Sequence, residues 1–454
     1  MKTATLTVDF DQVTGTWKPM HGVGQPPRTG VSSSLFHYMT RAGIPYSRLH
    51  DVGGWMGGGL YVDVPNLFRD FDADENDPAS YDFAFTDKII EGLINAKVEP
   101  YFRLGVTIEN EHMLKSYRIF PPKDFGKWAR ICEHIVAHYI DGWADGFRFP
   151  ITYWEIWNEP DSCYEEKTSA MWKGTPEEYF HLYEVASKHL KTVFGDRIKV
   201  GGYASCGFYE YKKDPNLDGK FEITDLFTHI LWFVHGFLEY QQKAGSPLDF
   251  FSWHVYDRLL RNGEDFPETR EHAAYIRTLL DRYGFKNTES HLNEWNMHYF
   301  VKRRNEVRGA SRTLAFMLMM QDTPTDVMCY YDAGIGASDY RSFLNPDTLY
   351  PYRTYYAFPM FNSLYKLGNQ VAVTSSEPML FAGAARRNGR ASIVIANTTG
   401  DSVWITPSFS GFDSDEVAVH RIDEENSYTL THEGLGSFMI PADGCVEISL
   451  YKLA

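Results

Sequence analysis

Short apolar runs alternate with longer helical patterns between about residue 20 and residue 366. Apolar or β-branched runs flanked by turn residues predict buried strands, and apolar positions three or four residues apart predict helices. The predicted strands are Met20–Gly24, Tyr46–His50, Glu99–Gly105, Thr152–Asn158, Lys199–Ala204, Phe250–Tyr256, Ser290–Glu294 and Val327–Tyr331. Eight strands that each lead into a helix predict an α/β fold, a (β/α)₈ barrel.

The segments between these strands have helical patterns with recognisable ends. Apolar residues recur at helical spacing over Asp124–Tyr139. Thr175 can cap a helix over Pro176–Phe194, because threonine suits the cap position and proline suits the first turn. The same reasoning predicts helices over Thr224–Gln242, Pro267–Tyr283 and Gly309–Met320.

After Leu367 the pattern changes to short runs typical of half-buried strands. These runs are Val371–Thr374, Met379–Ala385, Ala391–Asn397, Val403–Thr406, Glu416–Ile422, Ser427–His432 and Val446–Tyr451. Asn388-Gly389 is a typical hairpin turn. We therefore predict a barrel over residues 16–367 and an all-β sandwich over residues 368–454. The alternating segment Thr3–Phe10, within residues 1–15, is predicted to add a strand to the sandwich.

Composition and charge exclude several classes of protein. The chain has 454 residues, 60 acidic against 44 basic side chains, and a net charge of −16. This balance argues against nucleic acid and against an anionic membrane surface as partners. A hydrophobic content of 43% excludes bulk disorder. An aromatic content of 16% is compatible with carbohydrate binding, since flat apolar rings stack on sugars, but most aromatic residues are ordinary core.

The cysteines and the N-terminus indicate a reducing compartment. The five cysteines are scattered and lack Cys-x-x-Cys spacing, so neither a zinc site nor a disulfide framework is predicted. The N-terminal residues lack the apolar core of a secretory signal, and no apolar run approaches the length of a membrane span. We expect a cytoplasmic protein. Its oligomeric state stays open.

The carboxyl ends of barrel strands carry the residues that act on ligands, so the chemistry at these ends is informative. The fourth and seventh predicted strands lead into Glu159 and Glu294, each among tryptophans. A pair of carboxylates suits glycoside hydrolysis, in which one carboxyl protonates the departing oxygen and the other attacks the sugar. From the strand spacing we expect roughly 5–6 Å between the carboxyls, nearer to the separation in retaining than in inverting enzymes.

Side-chain alternation adds a constraint at these strand ends. Asn158 and Glu159 are adjacent, so both reach one site only if the strand end distorts. Two further pairs need no distortion, because residues two apart share a face: Arg48 with His50, and His254 with Tyr256. We expect the Tyr256 hydroxyl to hydrogen-bond an ionised Glu294 and hold its pKa down, and aromatic surroundings to raise the pKa of Glu159.

The stretch Tyr153-Trp154-Glu155-Ile156-Trp157-Asn158-Glu159-Pro160-Asp161 resembles the acid/base motif of glycoside hydrolase family thirty-nine. That family contains β-xylosidases and α-L-iduronidases, within clan A of the retaining glycosidases. The resemblance implies that Glu159 is the acid/base, that Asn158 contacts the sugar 2-hydroxyl and that Glu294, followed by Trp295-Asn296, is the nucleophile. It also extends to His254-Val255-Tyr256 and to His50. The family's barrel with a terminal β-sandwich matches the fold predicted above.

The last barrel strand, which reads Cys329-Tyr330-Tyr331-Asp332, departs from the β-xylosidases, where a tryptophan platform is expected. The loops Trp55–Gly59 and Glu109–His112 have no counterpart that we can assign. These departures affect the substrate more than the chemistry. Lys302-Arg303-Arg304 is a charge run that is usually only exposed, but it could also hold a uronic-acid carboxylate.

The resulting hypothesis is a retaining, exo-acting glycosidase for short, neutral oligosaccharides or glycosides, β-xylosidase-like, without metal or organic cofactor. Arg48, His50, Asn158, Trp157, His254, Tyr256, Trp295 and Asn296 are the predicted substrate-binding residues. Alternatives are an arabinosidase, galactosidase or uronidase, a binding protein without turnover, or a metal-dependent hydrolase. Glu155 is predicted to be a buried structural partner, and the nearest rivals to Glu294 are Glu289 and Glu306.

Overall fold

The structure of the chain, a computed structural model, describes residues 2–27, 35–52, 62–107, 118–162, 169–214, 223–256, 268–297, 306–335, 343–431 and 434–453. Eight parallel strands close into a barrel, in which the last strand pairs with the first. They are β2 (Gly22–Gly24), β3 (Tyr46–Leu49), β4 (Glu99–Leu104), β5 (Tyr153–Ile156), β6 (Lys199–Ser205), β7 (Phe250–Tyr256), β8 (Glu289–Asn296) and β9 (Val327–Tyr331). The predicted (β/α)₈ barrel is thereby confirmed.

The described parts of the chain contain nine α-helices, three of which begin at a side-chain cap. They are α1 (His37–Ala42), α2 (Val64–Leu67), α3 (Ala84–Asn95), α4 (Phe125–Ile140), α5 (Pro176–Phe194), α6 (Leu226–Ala244), α7 (Thr269–Arg282), α8 (Val307–Met320) and α9 (Ala357–Leu367). Thr175 and Glu178 form a complete capping box at the start of α5, which satisfies two backbone N–H groups there. None of the described helices combines the length and hydropathy needed to cross a membrane.

The predicted C-terminal β region is a large sheet of nine strands. These are β1 (Lys2–Thr16), β10 (Asn369–Ser375), β11 (Leu380–Arg387), β12 (Arg390–Asn397), β13 (Val403–Ser410), β14 (Glu416–Ile422), β15 (Ser427–Thr431), β16 (Phe438–Ile440) and β17 (Cys445–Tyr451). Their order is β15-β14-β17-β12-β11-β10-β1-β13-β16. The N-terminal strand β1 therefore lies inside the sheet, antiparallel to β10 and parallel to β13. The short strand β16 has too few residues for its alternation to stand out in the sequence.

The nine-stranded sheet is buried on both faces along β12 and β17, whereas alternate residues of β1 and β13 are exposed. Leu6, Ile393, Ile405 and Ile448 belong to one apolar cluster, to which none of the described helices contributes. Because strands from both halves of the sheet fill this cluster, the sheet must curve over itself, as a sandwich does. Part of its other face, on β11 and β12, packs against the barrel.

The contact between the sheet and the barrel is formed by α8 and α9, which pack against β11 and β12. Trp17, in the connection between β1 and β2, adds to it by donating its indole N–H to the Ala384 carbonyl at 3.1 Å. Gly383 leaves room for this ring, because a Cβ atom there would lie only 2.5 Å from it. The two regions therefore share a core.

The barrel interior is layered, and the layers position the site. The amino-terminal end is filled by an aromatic cluster that includes Tyr101, Tyr153 and Phe250. Above it lies a buried polar layer, in which Glu155 accepts hydrogen bonds from Arg48, Ser252 and Asn293 at 2.5–2.7 Å. This confirms a buried, paired role for Glu155. The next side chains toward the carboxyl end are those of the candidate site.

Candidate active site

The backbone distorts where β5 ends, as the adjacency of Asn158 and Glu159 requires. Trp157 has φ 74° and Glu159 has φ 42°, both in the left-handed region that non-glycine residues rarely adopt. The Glu159 N–H donates to the Ala204 carbonyl at 3.0 Å, so the distorted segment is tied to β6. This geometry brings the side chains of both Asn158 and Glu159 to the barrel mouth.

A register irregularity in β8 positions the second glutamate, Glu294. In the pairing with β7, Trp253 lies opposite Leu292 but His254 lies opposite Glu294, so Asn293 is the extra residue of a bulge. The bulge lets two adjacent side chains point into the barrel. Asn293 contacts Glu155 in the polar layer, and Glu294 reaches the layer above it.

Glu159, Glu294 and His254 form the centre of the site. Each offers a nitrogen or oxygen within 4.8 Å of the others. His254 Nδ1 lies 2.6 Å from Glu159 Oε1 and 3.3 Å from Glu294 Oε2. Two carboxylates thus face each other across the barrel mouth with one imidazole between them. Among the described residues, these three side chains form the group whose ligand atoms are close enough together to hold a cation.

Arg48 holds this centre from below. The guanidinium is fully buried and donates to Glu155 at 2.7 Å, to Glu294 Oε1 at 2.8 Å and to Asn158 Oδ1 at 2.6 Å. The sequence predicts a substrate-binding role for Arg48. In the structure its Nε, Nη1 and Nη2 atoms all bond protein groups instead, so it orients Glu294 and Asn158.

Tyr256 supplies the second contact to Glu294. Its hydroxyl donates to Oε2 at 2.7 Å, the hydrogen bond expected from the sequence. Arg48 and Tyr256 therefore bond one oxygen each and fix the plane of the carboxylate. Burial keeps the pKa of the Tyr256 phenol well above its ordinary value, so the hydroxyl remains a donor.

The net direction of the Glu294 pKa differs from the expected one. Burial raises the pKa of Glu294, and the neighbouring Glu159 carboxylate adds to the rise. His254, Arg48 and Tyr256 act in the opposite direction, so the contribution expected of Tyr256 is present but does not decide the outcome.

His254 is neutral at neutral pH. Burial lowers its pKa to about 4, although the Glu294 carboxylate favours the charged ring. A neutral imidazole has one N–H, and the two carboxylates face Nδ1. The contact with Glu159 is therefore a hydrogen bond and not an ion pair, and its donor is the ring N–H or the Glu159 O–H according to the tautomer of the ring and the protonation of the carboxyl.

Two further predicted binding residues, His50 and Asn296, lie near the two glutamates. His50, just after β3, is buried beside Asp51, with Nε2 at 3.3 Å from Oδ1, and its Nδ1 has no hydrogen-bond partner among the described residues. Asn296 donates to the Tyr331 carbonyl at 2.9 Å and so braces the last barrel strand. Both lie at the barrel mouth with Asn158.

The two tryptophans among the predicted substrate-binding residues, Trp157 and Trp295, lie in the core. Trp157 is fully buried, donates its indole N–H to the Met171 carbonyl at 2.9 Å and packs edge-on against Trp172. Trp295 is also fully buried, against Phe316. A ring enclosed by the core offers no face to a sugar. The structure therefore places both rings in the core, because a motif position does not reveal where a distorted strand end directs its side chain.

Several polar groups at the mouth were missed in the sequence. The Tyr331 hydroxyl donates to Asp51 Oδ2 at 2.8 Å and accepts from Gln25 Nε2 at 2.7 Å, so three strand ends are joined there. Gln25 lies in a segment that reads as a tight turn, and only its polar character after an apolar strand could have marked it. Asp161, two residues after Glu159, is fully buried.

The rivals to the two glutamates lie elsewhere. Glu289 begins β8 at the opposite end of the barrel, where it is paired with Lys199. Glu306 is the exposed residue before α8. The loops Trp55–Gly59 and Glu109–His112 and the run Lys302–Arg304 lie outside the described residues.

A closed (β/α)₈ barrel with a close pair of carboxylates at its carboxyl end defines the class of glycosyl hydrolase barrels. Within this class, the chain belongs to the family described as "Glycosyl hydrolases family 39", whose model matches residues 17–331. The expected family is thereby confirmed.

Similar proteins are found both in sequence and in structure. A "Beta-xylosidase" from Geobacillus stearothermophilus is 24% identical over 374 residues, which cover 75% of this chain and 66% of that protein, just under two thirds of its length. A glucosidase from Croceicoccus marinus has a TM-score of 0.78 at 22% identity, with 100% of both chains covered. A monomeric beta-xylosidase from Caulobacter crescentus CB15 has a TM-score of 0.71 at 15% identity, covering 99% of this chain and 100% of that chain. These structural likenesses show the fold.

Proposed function

We propose that the chain is a retaining, exo-acting glycoside hydrolase that acts by double displacement, with Glu159 as acid/base and Glu294 as nucleophile. One observation carries this proposal: the nearest polar atoms of the two carboxylates and His254 lie within 4.8 Å of one another at the carboxyl end of the barrel. Carboxyl groups about 5–5.5 Å apart are typical of retaining enzymes, whereas inverting enzymes need about 6.5–9.5 Å to admit a water molecule.

In the first step, ionised Glu294 attacks the anomeric carbon while Glu159 donates its proton to the departing oxygen. The bond from the anomeric carbon to that oxygen breaks, and an ester bond to Glu294 forms. In the second step, Glu159 takes a proton from water, the water oxygen attacks the anomeric carbon, and the Glu294 carboxylate leaves. Net configuration is retained because the carbon is attacked twice.

The surrounding residues support these roles. Arg48 and Tyr256 fix the two Glu294 oxygens, so that little reorientation is needed before attack. A neutral His254 can stabilise the ionised form of Glu159, which is present between the two steps. Arg48 holds the Asn158 carbonyl oxygen, which orients the amide for contact with the sugar 2-hydroxyl.

For the substrate we propose a β-xyloside first, because the family match and the named β-xylosidases support it. The glucosidase from Croceicoccus marinus favours a glucoside as the second candidate. The joined group Gln25, Tyr331 and Asp51, where a tryptophan platform was expected, separates this mouth from the β-xylosidase pattern and supports testing both sugars.

A leaving-group series tests the proposed roles. Wild type should hydrolyse one aryl glycoside from a panel that includes xylosides, glucosides, arabinosides, galactosides and uronides. Glu159→Ala should lose about 10²–10⁴-fold with a phenyl leaving group, but far less with dinitrophenyl, which departs without protonation. Azide should restore turnover of the variant. Glu306→Ala, which removes an exposed carboxylate, is the matched control and should keep the wild-type rate.

Two results would argue against this function. A uniform loss across leaving groups without azide rescue would remove Glu159 from the acid role. Sugar binding by calorimetry without turnover of any glycoside would make the chain a binding protein. Exo-action is tested separately: xylose release from xylotriose, with no internal cuts in xylan, is the expected product pattern.

A further inference from the structure

The backbone is strained at the carboxyl ends of both β5 and β6, on either side of Glu159. Trp157 and Glu159 have positive φ angles, and Ala204 at the facing end of β6 has φ 59°. A non-glycine residue in this region persists only where its surroundings hold it. The strain therefore requires local contacts that fix Glu159 in place.

Asp161 provides a buried bridge between the two strained segments. Its carboxylate is fully enclosed, accepts from the Ser205 hydroxyl at 2.7 Å and accepts from the Cys206 backbone N–H at 3.1 Å. The Glu159 N–H donates to the Ala204 carbonyl at 3.0 Å. Three successive residues of β6 and its extension, 204 to 206, are thus bonded to the turn between Glu159 and Asp161.

We propose that Asp161 is a positioning residue for Glu159: its carboxylate ties the turn after β5 to the end of β6 and so holds the acid/base carboxyl over the cleft. This inference rests on the proposed role of Glu159. It assigns a specific task to a residue whose side chain does not reach the reacting atoms.

The electrostatics of the bridge affect Glu159 as well. Burial raises the pKa of Asp161 to about 7, and the Glu159 carboxylate contributes to that rise. The repulsion is reciprocal, so Asp161, once it ionises above about pH 7, favours the protonated form of Glu159, the form that donates a proton. Among the described residues, the titratable groups that face Asp161 are Glu159 after β5, Tyr179 on α5, Tyr203 on β6 and Cys206 after β6.

Two variants separate position from charge. Asp161→Ala removes the hydrogen bonds and the charge, whereas Asp161→Asn keeps the shape and one acceptor oxygen but removes the charge. The matched control is Asp249→Ala, because Asp249 accepts from the Val200 N–H at 2.8 Å and so holds the opposite end of the same strand. Wild type and Glu159→Ala are measured beside them with phenyl and dinitrophenyl glycosides.

Asp161→Ala should lose at least about tenfold more kcat/KM with phenyl than with dinitrophenyl, because a displaced Glu159 assists departure poorly. Asp161→Asn should shift the alkaline limb of kcat/KM to lower pH by about half a unit or more, because Glu159 then loses its proton more easily. Asp249→Ala should lower Tm without changing either the substrate ratio or the pH limb.

Equal losses on both substrates together with an unshifted pH limb in Asp161→Asn would overturn the positioning role. Failure of the proposed function is distinguishable, since it would show as an inactive wild type or as a Glu159→Ala variant without leaving-group dependence. In that case a crystal structure of Asp161→Ala decides: a displaced Glu159 carboxyl supports positioning, and a Glu159 that still contacts His254 at about 2.6 Å overturns it.

Discussion

The two ends of β8 each carry a glutamate with the same types of partner. Glu289, at the amino end, contacts Lys199, the Tyr153 hydroxyl at 3.1 Å and His291 at 3.1 Å. Glu294, at the carboxyl end, contacts the Arg48 guanidinium at 2.8 Å, the Tyr256 hydroxyl at 2.7 Å and His254 at 3.3 Å. A cation, a phenol and an imidazole surround both carboxylates.

The pKa values of the two glutamates shift in opposite directions. Burial disfavours the charge of Glu289, but His291 and Lys199 outweigh it and lower the pKa to about 2. Burial raises the pKa of Glu294, and Glu159 reinforces the rise. The side chain of Glu289 is 26% exposed, whereas that of Glu294 is 6% exposed and faces a second carboxylate. Burial and the second carboxylate, not the kinds of partner, separate a stabilising ion pair from a candidate nucleophile.

Removing the two carboxylates one at a time should give the largest difference between the two ends of β8. Glu294→Ala should lower kcat on the order of 10⁵–10⁶-fold, the scale expected for loss of a nucleophile. Glu289→Ala should retain kcat within about threefold and instead lower Tm, because it leaves a buried phenol and an ammonium without their acceptor. Steady-state kinetics and thermal unfolding of the two variants check this; the reverse pattern would assign the chemistry to the wrong end of the strand.

Removing the phenolic hydroxyl from each end should have a smaller effect. Tyr256→Phe removes a hydrogen bond that favours ionised Glu294, so the Glu294 pKa should rise and the acid limb of kcat/KM should move up by about one pH unit. Tyr153→Phe, the control at the other end, should leave the limb in place. A shift of equal size in both variants would show that the limb does not report Glu294.

The smallest expected effect concerns stability and pH. Since the folded-state pKa of Glu289 is lowered, its carboxylate contributes stability above the ordinary value near 4.5, and this contribution is lost as the pH falls toward about 2. Glu289→Gln should therefore be less stable than wild type at pH 7, and the gap in the free energy of unfolding should narrow below pH 4.5. Urea unfolding at pH 7 and pH 3 measures it, and a gap that does not depend on pH would contradict the lowered pKa.

The fold was predictable because parallel barrel strands are buried on both faces and so read as separate apolar runs. Phe250–Tyr256, Val327–Tyr331 and the helix Pro176–Phe194 have the predicted bounds. The two glutamates were identifiable for a similar local reason, since each follows a strand and lies in a distinctive motif.

The missed features depend on packing between elements that are distant in sequence. The guanidinium of Arg48 bonds three groups on two other segments, β5 with its extension and β8, and the rings of Trp157 and Trp295 turn into the core where strands distort. The proposed role of Asp161 depends on its hydrogen bonds with Ser205 and Cys206, which lie more than forty residues away in the sequence. No local pattern encodes such contacts.

The most direct test of the account is to trap the glycosyl-enzyme. Wild type is incubated with the 2-fluoro glycosyl fluoride of its preferred sugar, digested and analysed by mass spectrometry. We expect one added fluorosugar on the peptide that contains Glu294, with the label placed on that residue by fragmentation. A label on Glu289, on Glu159 or on no residue, with inverted product in the proton NMR spectrum of the hydrolysis, would contradict it.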